Sequence, residues 1–359
     1  MKIAIFHNYM DNIGGSEIVA LALAKELHGD VYTTNFDLDK IKKVGFEGLN
    51  IISIGRVPLN PPLRQQFALY RFKKLNLRKK YDFFIIAGDW ALSGAVNNKP
   101  NIWYVHSPMR ELWDLYEYTR ENIVPWYKRP FFDLWIKYNR HLTKKYLGDI
   151  DGVLCNSNNT KKRINEYLDR EAKVIYPPID TSKFRYNKNG DYWLSVNRLT
   201  NHKRVELQLM AFSNLPDEKL IVVGCYEGAK HFQKYSKYLK KIKPENVKFV
   251  KDLDFSELTS LYSNCKGLIT TSKNEDFGMN VVEAMASGKP VIAVNEGGYK
   301  ETVIDGITGK LISADVNELI GAIREVGVNS KAYKQNCINQ AKKFDVKNFI
   351  KEIKNEIGA

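Results

Sequence analysis

Thirteen short runs rich in branched and aromatic residues, separated by stretches of helical spacing, limit what this chain can fold into. In the first half they are Lys2–His7, Asp30–Thr34, Asn50–Ile54, Asp82–Ala87, Asn101–His106, Gly152–Asn156 and Lys173–Tyr176. In the second they are Tyr192–Val196, Lys219–Val223, Val247–Val250, Gly267–Thr271, Pro290–Val294 and Lys310–Ile312. Strand and helix alternating in this way argues for parallel sheets with crossover helices, an α/β protein. The rhythm breaks at Pro177-Pro178 and Asn187–Gly190. Residues 1–180 and 190–343 therefore read as two Rossmann-like domains with a cleft between them, followed by a terminal segment, 344–359. Sheets of this kind take ligands beyond the carboxyl ends of their strands.

One such end is unusually rich in chemistry. NEDFGMNVVEAMASGKPVIAVNEGGYKE (residues 274–301) places Glu275 in a turn and Glu283 inside a short helix, with seven residues between them. Helical spacing over Met279–Ser287 ends at Gly288-Lys289-Pro290, a common C-terminal stop. Phe277, Gly278 and Met279 form the mouth of that helix, where first-turn amides make a natural diphosphate site. A neighbouring carboxylate suits vicinal hydroxyls, and the combination reads as a nucleotide-sugar site. A solvated helix with incidental acidic residues is the plain alternative, and FG, EAMASGKPV and NEGGYKE argue against it.

The segment resembles the E-x7-E motif of retaining family 4 glycosyltransferases with the GT-B fold, in which two Rossmann-like domains face each other across a cleft. The resemblance implies that Glu275 holds hydroxyls of the transferred hexose and Glu283 the nucleotide ribose. Asn280-Val281 departs from it, since many relatives carry a small residue and proline there, which clouds the local loop geometry. SVNRLTNHKR is similar to the family's G-R-L-x-x-x-K-G element, with Asn197 and Arg204 replacing the two glycines. Arg198 and Lys203 then read as a clamp on the leaving diphosphate, where fixed cations stabilise growing negative charge. Arg204 either adds a third contact or faces solvent.

Gly14-Gly15 lie between the first strand and the Ser16–Leu27 helix, where a missing Cβ lets backbone approach a ligand. Tight turns use such pairs constantly, but in the family one lines the catalytic cleft. His106 ends a strand before Ser107-Pro108, and relatives have a sugar-contacting histidine there; His7 is its competitor, and His28, His141, His202 and His231 stay unassigned. Glu296-Gly297-Gly298 offers either backbone amides to the ligand or a plain loop, with Glu301 as a cap. The expected catalytic set is Arg198, Lys203, Glu275 and His106. The donor-binding set is Glu283, Phe277, Gly278, Met279, Gly14 and Gly15. In the family the last helices cross back over the first domain, which Phe344–Ile357 could do here.

HSPMRELWD, VLCNSNNTKKRI and VIYPPIDTSKF look like the mannosyltransferase branch that builds O-antigen and related lipid-linked glycans. That resemblance implies GDP-mannose as donor, a glycan or lipid-linked acceptor, and no metal or other cofactor, the cations doing a metal's charge work. A UDP-sugar donor (N-acetylglucosamine or glucose) and a non-catalytic nucleotide-sugar-binding protein are the alternatives. A Walker loop is absent, because Gly288-Lys289 and Gly309-Lys310 lack its flanking residues.

With 359 residues, 44% of them hydrophobic, each domain can bury its own core. No run nears a spanning helix, MKIAIFHNYM enters a strand without the design of a secretory signal, and Cys155, Cys225, Cys265 and Cys337 lie far apart. A cytoplasmic protein with reduced thiols is expected. The net charge of +14 gathers locally: residues 56–80 hold eight basic residues and no acid. That run suits an anionic membrane, which would place the protein peripherally on its cytoplasmic face, or it is a solvated basic helix. Aromatics among basic residues over Tyr104–Tyr146 fit a membrane interface in part and core packing for the rest. No recognition motif for nucleic acid accompanies the charge.

Overall fold

The computed structural model describes residues 1–224 and 230–359, with the side chains of 230–233 outside that description. The chain divides into two compact units, Met1–Pro178 with Phe349–Ala359, and Ile179–Asn348. Each holds one parallel sheet.

In the first unit the strands are β1 (Ile3–Phe6), β2 (Asp30–Thr33), β3 (Ile51–Ser53), β4 (Phe83–Ile86), β5 (Asn101–Val105), β6 (Gly152–Cys155) and β7 (Lys173–Val174). They pair in the order β3-β2-β1-β4-β5-β6-β7. IAIF, FFII and NIWYV are buried along their whole length, because helices cover both faces of a parallel sheet. The edge strands β3 and β7 are half-exposed and shorter. Phe6 anchors the core, with Phe72 and Phe84 rings 5.7 and 5.6 Å from its own.

The second unit contains β8 (Tyr192–Val196), β9 (Lys219–Val223), β10 (Val247–Val250), β11 (Leu268–Thr270), β12 (Val291–Val294) and β13 (Gly309–Ile312). Their order is β10-β9-β8-β11-β12-β13, parallel throughout. All thirteen expected strands are present; β8, β9 and β10 keep their expected bounds, β13 begins one residue earlier, and the others are shorter by one or two residues.

The Val346–Ile357 helix ends the chain, and its buried face is Phe349, Ile350, Ile353 and Ile357. Residues 349–359 cluster with the first unit. There Phe349 meets the Tyr104 ring edge-on at 5.6 Å, and Glu356 pairs with Lys173. Phe349→Ala should remove roughly 3 kcal/mol from the first unit, read as a lower urea midpoint, while Lys351→Ala on the exposed face should leave it unchanged.

Candidate active site

In the second sheet the chain winds outward in both directions from β8 and β11, so their carboxyl ends form the point where strand order reverses. The loop after β8 carries Arg198, Lys203 and Arg204, and the loop after β11 carries Glu275 before the Met279–Ala286 helix with Glu283. The two loops are stitched together. The Thr271 hydroxyl is shared between the carbonyls of Lys203 and Arg204, each at 2.9 Å, and the Lys273 amide donates to the His202 carbonyl at 2.7 Å. Asn280, the residue that departs from the family pattern, donates its side-chain amide to the Val196 carbonyl at 3.0 Å. It thereby ties the first turn of the helix to the end of β8.

Lys203 Nζ lies 2.6 Å from Glu275 Oε2, with both side chains largely buried. Burial alone would raise the Glu275 carboxyl, but the Lys203 ammonium outweighs it, with a smaller contribution from His202. The carboxyl is held well below the usual carboxylate range. The Tyr299 hydroxyl, 3.4 Å away, also donates to Glu275 Oε2. Arg204 is half-buried and finds its partner within the protein: its guanidinium donates to Glu296 Oε1 at 2.8 Å. The other Glu296 oxygen accepts the Asn274 amide at 3.0 Å, so this second ion pair braces the turn that presents Glu275.

Gly297 and Gly298 complete the mould. A Cβ on Gly297, whose φ is +56°, would sit 2.2 Å from the Glu275 carbonyl oxygen. One on Gly298 would sit 2.5 Å from the Phe277 Cα, and the Gly298 amide donates to that same Glu275 carbonyl at 2.8 Å. The Gly298 amide is thus spent within the protein, and the Glu296-Gly297-Gly298 turn shapes the acidic turn rather than offering that group to a ligand. Phe277 is 2% exposed and its ring packs on Phe344.

Gly278 precedes the Met279–Ala286 helix with φ +91°, and no side chain caps that end. The first-turn amides carry the positive end of the helix dipole; that of Val281 already donates to the Gly278 carbonyl and to Asn280 Oδ1, each at 3.0 Å, and those of Met279 and Asn280 precede the intrahelical ladder. Met279 is half-buried there. On the next turn Glu283 accepts from the Tyr262 hydroxyl at 2.7 Å, and burial raises its carboxyl. Arg198 is exposed on the β8 loop. The result is an exposed cation, a cation already on a carboxylate, and an uncapped helix start, beside two carboxylates suited to hydroxyl groups.

The first unit has its own strand-end cluster. His106 follows β5, half-buried, and its Nε2 has no hydrogen-bond partner among the described residues. Burial, with the nearby His7 adding to it, pushes the imidazole down to about 3, so it is neutral. His7 is fully buried and engaged, its Nδ1 3.2 Å from the Tyr9 carbonyl and its Nε2 3.7 Å from Glu17. Glu17 in turn accepts the Gly14 amide at 2.9 Å, and Gly15 opens the Gly15–Leu27 helix as an exposed residue.

Sequence reasoning missed the bracing residues, Glu296, Tyr299, Tyr262 and Asn280, and the part played by His202. The only signal was proximity to the motif. Cys155, Cys265 and Cys337 are buried, whereas Cys225 and the His231 side chain lie outside the described residues. Among the described residues no group of three His, Cys, Asp or Glu is placed to hold a metal. The three Asp-x-Asp triplets of the sequence, Asp37-Leu38-Asp39, Asp149-Ile150-Asp151 and Asp252-Leu253-Asp254, each have a structural duty. Asp37 and Asp254 cap helices, and Asp151 accepts the Asn101 amide.

Two family models match this chain. The one described as Glycosyltransferase Family 4 spans residues 13–183, and Glycosyl transferases group 1 spans residues 178–344. Among curated proteins, the alpha-1,3/1,6-mannosyltransferase ALG2 of Dictyostelium discoideum is 29% identical over 302 residues, covering 70% of this chain and 69% of that one. ALG2 of Candida glabrata is 28% identical over 300 residues, with 67% and 63% covered. An uncharacterized glycosyltransferase of Methanocaldococcus jannaschii is 30% identical over 211 residues, with 58% of each covered. This chain thus spans between about six and seven tenths of the length of these relatives. Among solved structures, Anabaena HepE in complex with UDP and glucose superposes with a TM-score of 0.79 over the whole of both chains at 19% identity. That likeness establishes the fold, GT-B.

A carboxyl whose folded pKa is depressed adds stability above its unfolded value, near 4.3, and loses it as pH falls through the folded value. Lys203→Met leaves burial unopposed and reverses the sign for Glu275. The gap in thermal midpoint between parent and variant should be widest near pH 7 and narrow as pH falls below about 4. A gap constant over that range would contradict the pairing.

Proposed function

We propose, from the matches to the Glycosyltransferase Family 4 and Glycosyl transferases group 1 models over residues 13–183 and 178–344, that this chain is a glycosyltransferase that moves mannose from GDP-mannose to a hydroxyl with retention of configuration. The observation that carries the site assignment is the convergence of Lys203–Glu275, Arg198 and an uncapped helix start at the β8/β11 reversal point. The diphosphate lies on the first-turn amides of the Met279–Ala286 helix, with the main chain of Phe277, Gly278 and Met279, and takes the charge of Arg198 and Lys203. Glu275 accepts from hexose hydroxyls and Glu283 from the ribose. On the first unit, the neutral imidazole of His106 and the Gly14-Gly15 turn are the groups we propose for sugar binding.

As the bond from C1 to the diphosphate oxygen breaks, negative charge grows on that oxygen, where fixed cations lower the barrier most. The acceptor oxygen forms its bond to C1 on the same face, and its proton passes to the departing diphosphate. This scheme asks for no protein nucleophile and no metal.

Mannose is supported by the names of the ALG2 relatives, and the acceptor we propose is a growing glycan on a lipid carrier at the cytoplasmic face of a membrane. A UDP-sugar donor is the second reading, supported by the UDP bound to the HepE relative. The test is transfer to a prenyl-diphosphate oligosaccharide from GDP-mannose, UDP-glucose and UDP-N-acetylglucosamine, with and without EDTA. The expected product is α-mannosylated, made from GDP-mannose alone and insensitive to EDTA. Turnover from a UDP-sugar alone would overturn the donor. Arg198→Ala should lower kcat roughly a hundredfold, and Glu283→Ala should weaken donor binding about tenfold. Parent behaviour in both variants would overturn the site.

A further inference from the structure

Outside the strand ends, the first unit exposes large apolar side chains along two helices. On the Arg129–Leu147 helix, Phe131, Leu134 and Tyr138 share one face and are 76%, 67% and 53% exposed, and Trp126, just before it, is 77% exposed. On the Leu63–Lys74 helix, Leu63, Phe67 and Tyr70 are exposed at the spacing of a single face. The helices are clasped by a 2.8 Å hydrogen bond from Gln66 to Asn139, one residue from Phe67 and from Tyr138. Both also rest on the Asp89–Asn97 turn, through Ser93 to the Leu69 carbonyl and through the tilted rings of Trp90 and Trp135, 6.0 Å apart. The outer faces therefore lie side by side, turned away from a common support.

Charge settles what covers this surface. Arg56, Arg71, Lys73, Lys74, Lys128, Lys137, Lys144 and Lys145 are exposed in the same segments. Neither helix exposes a carboxylate: the first has none, and Asp133 of the second is held by Arg120 and Tyr116. Lys74 and Lys128 lie over the rings of Tyr70 and Tyr127, so their cations sit at the aromatic level. Arg64, the inward basic residue of the run, is spent on Asp11 at 2.6 Å. Apolar and aromatic side chains that dip into a headgroup layer, ringed by Lys and Arg, match an interfacial membrane anchor. Among the described residues no helix is long and apolar enough to cross a membrane.

We propose that this two-helix face docks the protein on an anionic lipid bilayer, with Trp126, Phe131 and Leu134 entering the interface and Arg71, Lys73 and Lys74 held by acidic headgroups. The proposal does not depend on the donor or on sugar transfer. It assigns the membrane side to both helices, where residues 56–80 alone supply only the charge.

The test is co-flotation of the full chain with vesicles of phosphatidylcholine, with and without about a third phosphatidylglycerol. Parent protein should float with the anionic vesicles and at least tenfold less with the neutral ones. A Trp126→Ser/Phe131→Ser/Leu134→Ser variant and an Arg71→Gln/Lys73→Gln/Lys74→Gln variant should each lose at least tenfold, with unchanged circular dichroism and thermal midpoint. Failure of the parent to float, or parent-like flotation of both variants, would overturn the proposal. So would a concentration-dependent dimer abolished by the serine variant, which would give the face to a second copy of the chain.

Discussion

A carboxylate buried at a strand end stays ionised only beside a fixed cation, and in the second unit Lys203 is that cation for Glu275. Much of the local architecture serves to bring the two together. They arrive from different loops, 72 residues apart in sequence, and Thr271 and Lys273 register one loop against the other. Arg204–Glu296 is a second ion pair in the same place, and it fixes the backbone of the turn rather than its side chain. The glycine pair after Glu296 completes the arrangement by letting backbone lie where a Cβ would collide.

This division of labour bears on catalysis. Lys203 is held in position by a carboxylate and largely buried, so under the proposed mechanism the diphosphate would meet a cation that is already placed and partly desolvated. Arg198 is exposed on its loop, and the neighbouring helix start has the amides of Met279 and Asn280, which precede the intrahelical ladder. A preorganised site of this kind reorganises little as charge develops, which is the physical basis of electrostatic catalysis. The carboxyl of Glu283, raised by burial and holding one hydrogen bond from Tyr262, would gain further donors from the ribose hydroxyls in the proposed complex.

The fold was legible because parallel strands are buried on both faces and announce themselves as apolar runs; every strand from Ile3–Phe6 to Gly309–Ile312 could be located. Glu275, Glu283, Arg198 and Lys203 were legible as a motif. Their partners were not, because pairing across loops depends on tertiary register. Arg204 shows the limit: its chemistry suggested a ligand contact, while its partner Glu296 lies 92 residues away. Phe277 shows the same limit from the other side, since a ring in a ligand-facing motif turned into the core against Phe344. The aromatics of Tyr104–Tyr146 divided in a way composition could not foretell. Tyr104 and Tyr146 are core, whereas Trp126 and Phe131 face outward.

The central claim is that the glycine turn moulds the Glu275 turn into a donor-binding shape. Calorimetric titration of GDP-mannose into Gly298→Ala protein tests it most directly, because the added methyl meets the backbone of Asp276 and Phe277, and so deforms the turn, while removing no side chain proposed to bind the ligand. The account predicts at least a tenfold loss of affinity while the urea midpoint of the first unit is unchanged. Parent affinity in that variant would contradict it.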